Sequence, residues 1–98
     1  MDVVHRLNDI DFVWDRAKSL TNVQKHGVAF ETACEVFFDP FVRFVGTDIV
    51  GREKREVVIG MTVDWRWLRV VYVLRKEYVR IVSARVVTSR ERRQYEDQ

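Results

Sequence analysis

The spacing of hydrophobic residues divides the sequence into a helical first part and a stranded second part. The apolar segment 10–14 predicts a strand, after which Asp15 can cap a helix that runs to His26 and stops at Gly27. Hydrophobic residues recur every three positions there and are expected to face the core: Trp14, Ala17, Leu20 and Val23. A polar stripe occupies another face of the same helix: Lys18, Asn22, Lys25 and His26.

A second helix is predicted over about 30–38, and Pro40 must end it. Its residues with helical spacing are Phe30, Ala33, Cys34 and Phe37. This spacing places Cys34 in the core. We expect its thiol to be a small buried hydrophobe and not a nucleophile, because no basic neighbour on that face would lower its pKa.

Alternating hydrophobic residues replace the helical spacing from residue 41 onward. The predicted strands are 41–46, 54–62, 67–75 and 78–86. The connections at 63–66 and 76–77 are short enough for hairpins, which join antiparallel strands. In the strand 67–75 the expected core face consists of Leu68, Val70, Tyr72 and Leu74.

The segment from Thr88 to Glu91 has the spacing of a capping box, which predicts a last helix at about 89–96. The predicted fold class is therefore α+β, a small antiparallel β-sheet flanked by helices in the order β-α-α-β-β-β-β-α. The length of 98 residues and the absence of a linker-like segment indicate one domain over 1–98.

Cysteine content and hydropathy limit the class of protein. A single cysteine excludes an internal disulfide and a thiolate metal cage. No apolar run approaches the roughly 18–20 residues that span a bilayer, and the N-terminus does not have the pattern of a secretory signal. We expect a cytoplasmic protein without a membrane segment.

Charge is unevenly distributed along the chain. Residues 1–50 carry a net charge of −3 and residues 51–98 a net charge of +5, and 13 of the 17 cationic residues are arginine. A guanidinium binds phosphate bidentately and stacks on bases, which favours RNA or a carboxylate-rich partner. The alternative is that many of these arginines are solvated or paired with glutamate on exposed strands, as in 52–56.

Known cofactor and metal motifs are absent from the sequence, and two histidines are too few for a histidine-based metal site. We expect no cofactor and no metal. RNA can be cleaved without either, because its 2′-hydroxyl attacks the adjacent phosphate once one group takes the proton, cations stabilise the charge and an acid protonates the leaving oxygen.

The candidate residues for this chemistry each have a structural alternative. Lys25 and His26 either cap helix carbonyls or line a phosphate-facing surface. Arg85 either pairs with a carboxylate such as Glu91 or reaches a scissile phosphate. Three aromatic residues lie in the connection 63–66 and the strand 67–75: Trp65, Trp67 and Tyr72. We expect them to pack in the core or a hairpin and not to stack on bases.

Motifs in the two halves of the sequence resemble those of the BrnT family of bacterial type II toxins. The first motif is Trp14-Asp15-x-x-Lys18-x-x-x-Asn22-x-x-Lys25-His26-Gly27-Val28-x-Phe30. The second and third are Arg55-x-x-x-Ile59-Gly60 and Ile81-Val82-Ser83-Ala84-Arg85 with Thr88-x-Arg90-Glu91-Arg92-x-x-Tyr95. The resemblance covers residues 12–96, and the segments 45–54 and 65–67 lie outside it.

The resemblance implies a fold similar to the RelE-type ribonuclease toxins and an endoribonuclease activity that stops translation. It also implies a BrnA-type antitoxin as partner. The antitoxin binds DNA, and the toxin is linked to DNA only through it. The catalytic residues implied or inferred are Arg85, Arg55, His26, Lys25 and Tyr95. The RNA-binding residues are Lys18, Asn22, Arg80 and Arg92. Glu91 is expected to be structural if the capping box forms.

A second hypothesis keeps the fold but removes the chemistry. The chain would then be a catalytically inactive binding module that pairs with a DNA-binding antitoxin and modulates its repression. The two hypotheses differ at Arg85, because only a catalyst should lose toxicity when that residue is replaced by alanine.

Overall fold

Six strands and three helices make up the computed structural model, which describes residues 1–96. The strands are β1 Asp2–Leu7, β2 Ile10–Asp15, β3 Arg43–Val50, β4 Glu53–Met61, β5 Trp67–Leu74 and β6 Val79–Val86. The helices are α1 Arg16–His26, α2 Phe30–Ala33 with a 3-10 continuation at Cys34–Phe38, and α3 Ser89–Glu96. The four strands predicted after residue 41 and the three predicted helices are all present.

The strands form one sheet in the order β1-β2-β6-β5-β4-β3. Strands β3 to β6 are an antiparallel meander, as predicted, but β2 pairs with β6 in parallel. The prediction of a purely antiparallel sheet is therefore wrong. A parallel pair needs a long crossover connection, and the chain between β2 and β6 supplies it with two helices and three strands.

The first strand was absent from the predicted order. β1 pairs antiparallel with β2 over its whole length, from Asp2 opposite Asp15 to Leu7 opposite Ile10. A two-residue turn joins them, in which Asn8 and Asp9 have φ angles of 49° and 66°. Both residue types tolerate this left-handed conformation, and such turns match the twist of a hairpin.

The hydrophobic core lies between one face of the sheet and the layer formed by α1 and α2. Leu68, Val70 and Tyr72 of β5 face this layer and are buried, as the alternation predicted, whereas Leu74 is 64% exposed. Cys34 is fully buried. Burial raises the pKa of the Cys34 thiol to about 12, so the side chain is a neutral hydrophobe, in agreement with the prediction.

Helix α1 begins and ends at the predicted caps but presents a different face to the core. Asp15 accepts a hydrogen bond from the Lys18 N–H at 3.0 Å, and Gly27 has a left-handed φ of 67°. The predicted core residues Leu20 and Val23 are 59% and 44% exposed, however, and Ala17 is exposed as well. The predicted packing stripe is therefore wrong for Ala17, Leu20 and Val23, whereas Trp14 is buried as predicted.

Asn22 is the residue of α1 that faces the sheet, and it explains the orientation of the helix. β2 pairs with β6 only through residues 12 and 13, so the edge of β6 beyond that point lacks a neighbouring strand. The Asn22 amide replaces it: Nδ2 donates to the Ala84 carbonyl at 2.8 Å, and Oδ1 accepts from the Ala84 N–H at 3.2 Å. Nδ2 also donates to the Val28 carbonyl at 2.9 Å. The free energy gained by hydrogen-bonding these buried backbone groups outweighs the free energy that burial of Leu20 would give.

Among residues 1–96, no helix is long and apolar enough to span a bilayer.

Candidate functional site

The second face of the sheet, which we call the outer face, carries a row of arginines. Because side chains alternate along a strand, burial of Leu68 and Val70 directs Arg69 to this face. The strand register then aligns Arg43, Ile59, Arg69 and Arg85 across β3, β4, β5 and β6. Helix α3 covers one end of the outer face, where the side chains of Arg69 and Arg85 are 30% and 32% exposed.

Glu91 of α3 binds two arginines of this row. Its carboxylate oxygens accept from Arg85 Nη1 and Nη2 at 2.8 and 3.0 Å, and Oε2 lies 3.4 Å from Arg69 Nε. The predicted capping box forms as well: Glu91 accepts from the Thr88 N–H at 2.9 Å, and Thr88 Oγ1 accepts from the Glu91 N–H at 3.2 Å. Glu91 therefore holds α3 on the sheet and fixes the two arginines.

Electrostatics at this cluster favour the charged forms of Glu91 and Arg85. Hydrogen bonds from Arg85 and from the Thr88 backbone lower the pKa of Glu91 from 4.5 to about 2. The hydrogen bond with Glu91 raises the pKa of Arg85. Together with a contact to the Val86 carbonyl at 3.3 Å, the bonds to Glu91 use three of the five N–H donors of Arg85. Within residues 1–96 its other two donors have no partner and can bind an anion.

Aromatic contacts fix the other end of α3. The Tyr95 and Trp67 ring centroids are 4.7 Å apart, and the guanidinium of Arg92 lies 5.0 Å from the Trp67 centroid. The Tyr95 hydroxyl donates to the Phe41 carbonyl and lies 3.5 Å from Asp39 Oδ2. Burial and the Asp39 charge raise the pKa of Tyr95. Tyr95 thus anchors α3 through a hydroxyl that keeps its proton.

A second group of cations lies at the edge of β6, in what we call the α1 cleft. This cleft has a volume of about 290 Å³, and Lys18, Lys25 and His26 line it together with Ser83. Ser83 precedes Arg85 by two residues, which is about 7 Å along a strand. The α1 cleft therefore adjoins the strand that carries Arg85, although about 60 residues of sequence separate Arg85 from Lys25 and His26.

Two other predicted site residues lie elsewhere. Arg55 donates to Glu53 at 3.0 Å and lies four residues along β4 from Ile59, about 13 Å from the arginine row. Arg80 donates to Asp2 at 2.6 Å and connects β6 to β1. Asn22 lines the α1 cleft, but it is buried and its amide is bound to the backbone of Val28 and Ala84, so the structure gives it a structural role.

Arg69 and Arg43 were not among the predicted site residues. Counting outward from the hairpin at 76–77 places Arg85 opposite Leu68. The register shift between Val71 and Tyr72 leaves one residue of β6 unpaired and brings Arg85 opposite Arg69 instead. A bulge of this kind has no clear sequence signal. Arg43 lies in a predicted strand, but only the observed register shows that it joins the row.

Metal ligation has no obvious location in the described part of the chain. Within residues 1–96, no three histidine, cysteine, aspartate or glutamate side chains lie close enough together to hold an ion.

A small α+β protein whose sheet exposes a row of oriented arginines is suited to binding a phosphate backbone. A family model for the ribonuclease toxin BrnT of type II toxin–antitoxin systems matches residues 14–91. The chain therefore belongs to the BrnT family of ribonuclease toxins, which confirms the resemblance seen in the sequence. A search of curated proteins gives no match.

The fold is also found in a solved structure. The chain is similar to the Brucella abortus ribonuclease toxin BrnT, with a TM-score of 0.63 and 23% sequence identity. The likeness covers 78% of this chain and 94% of the Brucella chain. Both arginines bound by Glu91 lie within the residues that the family model matches, whereas Arg92 and Tyr95 lie beyond them.

Proposed function

We propose that this protein is a metal-independent endoribonuclease that cleaves RNA by attack of the 2′-hydroxyl and thereby inhibits translation and growth. The observation that carries the proposal is the arrangement of Arg69 and Arg85, which a single carboxylate orients side by side on the outer face of the sheet. Two fixed guanidinium groups with unused donors are suited to a phosphate whose charge increases in the transition state.

The α1 cleft supplies the remaining groups. His26 is the candidate for proton transfer, because an imidazole can both accept and donate a proton near neutral pH. Lys25 beside it would hold the phosphate backbone, and Lys18 would extend this contact along α1. Tyr95 is a weaker candidate for proton transfer than the sequence suggested, because its hydroxyl is bound to the Phe41 carbonyl.

Arg55 and Arg92 would contact RNA on either side of the reacting phosphate. Both lie away from Arg85, and each is paired with an exposed or half-buried carboxylate, Glu53 or Glu96. Exposed ion pairs contribute little free energy, so a phosphate can replace the carboxylate. Arg80 would act indirectly, by joining β6 to β1 across β2.

The partner we propose is an antitoxin of the BrnA type, expressed with the toxin in the cytoplasm. An acidic segment of such a protein would cover the arginine row and block RNA, and complementary charge would speed its association. Contact with DNA would then be made by the antitoxin alone.

The test is to map new 5′ ends in cellular RNA after brief induction in a bacterial host that lacks the antitoxin. Three forms are compared: wild type, Arg85→Ala, and the control Arg6→Ala, which removes an arginine 60% exposed at the far edge of the sheet. We expect new ends with wild type and Arg6→Ala and none with Arg85→Ala. Unchanged RNA and unhindered growth with folded wild-type protein would support the inactive binding module instead.

A further inference from the structure

Trp65 has a conformation and an exposure that folding alone does not explain. Its φ is 67°, in the left-handed region that bulky side chains rarely adopt. Burial of the side chain does not offset the cost of this backbone conformation, since the residue is 81% exposed. Strained residues of this kind concentrate where a side chain is held for a ligand.

The turn around Trp65 is firmly hydrogen-bonded, so the backbone that carries the indole is held in place. The Thr62 carbonyl accepts from the Trp65 N–H at 3.1 Å, and the Thr62 N–H donates to the Arg66 carbonyl at 2.9 Å. Thr62 Oγ1, itself buried, accepts from the Arg66 N–H at 3.0 Å and donates to Asp64. Val63, which follows Thr62, donates its N–H to Glu35 Oε1 at 2.9 Å, and this bond connects the turn to the helical layer.

Trp65 lines a cleft that continues the arginine row, which we call the tryptophan cleft. The cleft has a volume of about 490 Å³, and Trp65, Trp67, Arg66 and Arg92 all line it. Trp67 is two residues from Arg69 on the outer face, about 7 Å along the strand. A short stretch of single-stranded RNA whose phosphate lies on Arg69 and Arg85 therefore reaches this cleft with its next bases.

We propose that the tryptophan cleft is a nucleobase-binding subsite, in which the Trp65 indole stacks on an unpaired base next to the scissile phosphate. The inference rests on the proposed function and adds the part of the substrate that is recognised: single-stranded RNA, through a base. An exposed indole flanked by arginines is the arrangement by which proteins hold unstacked bases. The ion pairs of Arg66 with Asp64 and of Arg92 with Glu96 are exposed and can exchange for phosphate.

The experiment measures binding of labelled RNA oligonucleotides that carry 2′-O-methyl groups at every position and so cannot be cleaved by 2′-hydroxyl attack. Trp65→Asn removes the indole and places at this φ a residue that tolerates it. Trp65→Phe keeps a stacking ring, and Val63→Ala is the matched control, because Val63 is 82% exposed on the same turn. Thermal unfolding and antitoxin binding are measured for each form.

We expect Trp65→Asn to weaken RNA binding about tenfold, with an unfolding midpoint no lower than that of wild type. Trp65→Phe should retain most of the affinity, and Val63→Ala all of it. RNA binding should quench tryptophan fluorescence more in wild type than in Trp65→Asn, in which Trp67 alone remains in the cleft and Trp14 is buried.

Other results would overturn the inference. Equal RNA affinity of Trp65→Asn and wild type would leave the proposed ribonuclease standing without this subsite. A lower unfolding midpoint would assign the indole to the stability of the turn. Loss of antitoxin binding with RNA binding intact would assign it to the protein partner. A wild-type protein that binds no RNA would contradict both the subsite and the proposed function.

Discussion

Arg69 and Arg85 lie directly opposite each other on β5 and β6, and the Glu91 carboxylate binds both. Like charges in such a cross-strand pair repel each other, so the pair needs a fixed anion to be stable. Glu91 provides it from a helix that is itself held by this contact. The same three residues therefore link the stability of the fold to the orientation of the two groups that we propose bind phosphate.

Removal of the Glu91 charge should destabilise the protein. Glu91→Gln leaves two partly buried arginines without their anion, and we expect the free energy of unfolding to fall by about 2 kcal/mol. The control is Glu96→Gln, whose carboxylate is 50% exposed and pairs with Arg92 one turn away on the same helix. That change should have an effect of about 0.5 kcal/mol or less. Urea denaturation at pH 7 measures both, and equal effects would contradict the role of Glu91.

Stability should also depend on pH through Glu91. Its pKa is about 2 in the folded protein and 4.5 ordinarily, so the unfolded chain binds the proton more readily. The stabilisation is therefore fully present above pH 4.5 and is lost as the pH falls toward 2. Urea denaturation between pH 7 and pH 3 should show a smaller loss for Glu91→Gln than for wild type. Parallel pH profiles for the two proteins would argue against a lowered pKa at this residue.

The amide of Asn22 should be essential for stability. Asn22→Ala leaves the Ala84 N–H and two buried carbonyls without their partner, and we expect a loss of about 3 kcal/mol in the free energy of unfolding. Lys18→Ala and Lys25→Ala, on the exposed part of the same helix, should change stability little and weaken RNA binding. Denaturation curves of the three variants separate the structural residue from the proposed contacts. A mild effect of Asn22→Ala would show that another group completes the β6 edge.

The salt dependence of RNA binding should distinguish phosphate contacts from base contacts. The logarithm of the binding constant falls with the logarithm of salt by about 0.7 for each phosphate contact to a single strand. Arg85→Ala should reduce this slope by about that amount, whereas Trp65→Asn should weaken binding with an unchanged slope. Titrations of uncleavable RNA at several salt concentrations measure both. An unchanged slope in Arg85→Ala would place the phosphate elsewhere.

Local signals in the sequence predict much of the fold. The Asp15 and Gly27 caps, the Thr88 and Glu91 capping box and the two hairpins all depend on neighbouring residues, and the structure confirms them. The face of α1 could not be predicted in this way. It is set by the unpaired edge of β6, more than 50 residues away along the chain, which outweighs the local hydrophobic stripe.

The candidate site was predicted only in part for a similar reason. Arg85 and its Glu91 partner are close in sequence. The sequence therefore indicated both alternatives for Arg85, pairing with Glu91 and contact with a phosphate. Arg69 joins Arg85 and Glu91 through a one-residue register shift, and the packing of α1 brings Lys25 and His26 to the edge of β6. Trp65 was interpreted as a packing residue, because aromatic residues near strands usually pack; its 81% exposure shows that it does not.

In the proposed reaction, RNA is cleaved by its own 2′-hydroxyl beside the Arg69 and Arg85 pair. The measurement replaces that 2′-hydroxyl by hydrogen at a mapped cleavage position and presents the RNA, free or on ribosomes, to the purified protein. We expect 5′-hydroxyl and 2′,3′-cyclic phosphate ends from unmodified RNA and no cleavage of the deoxy substrate. Cleavage of the deoxy substrate, or 5′-phosphate ends from either RNA, would contradict the proposed reaction.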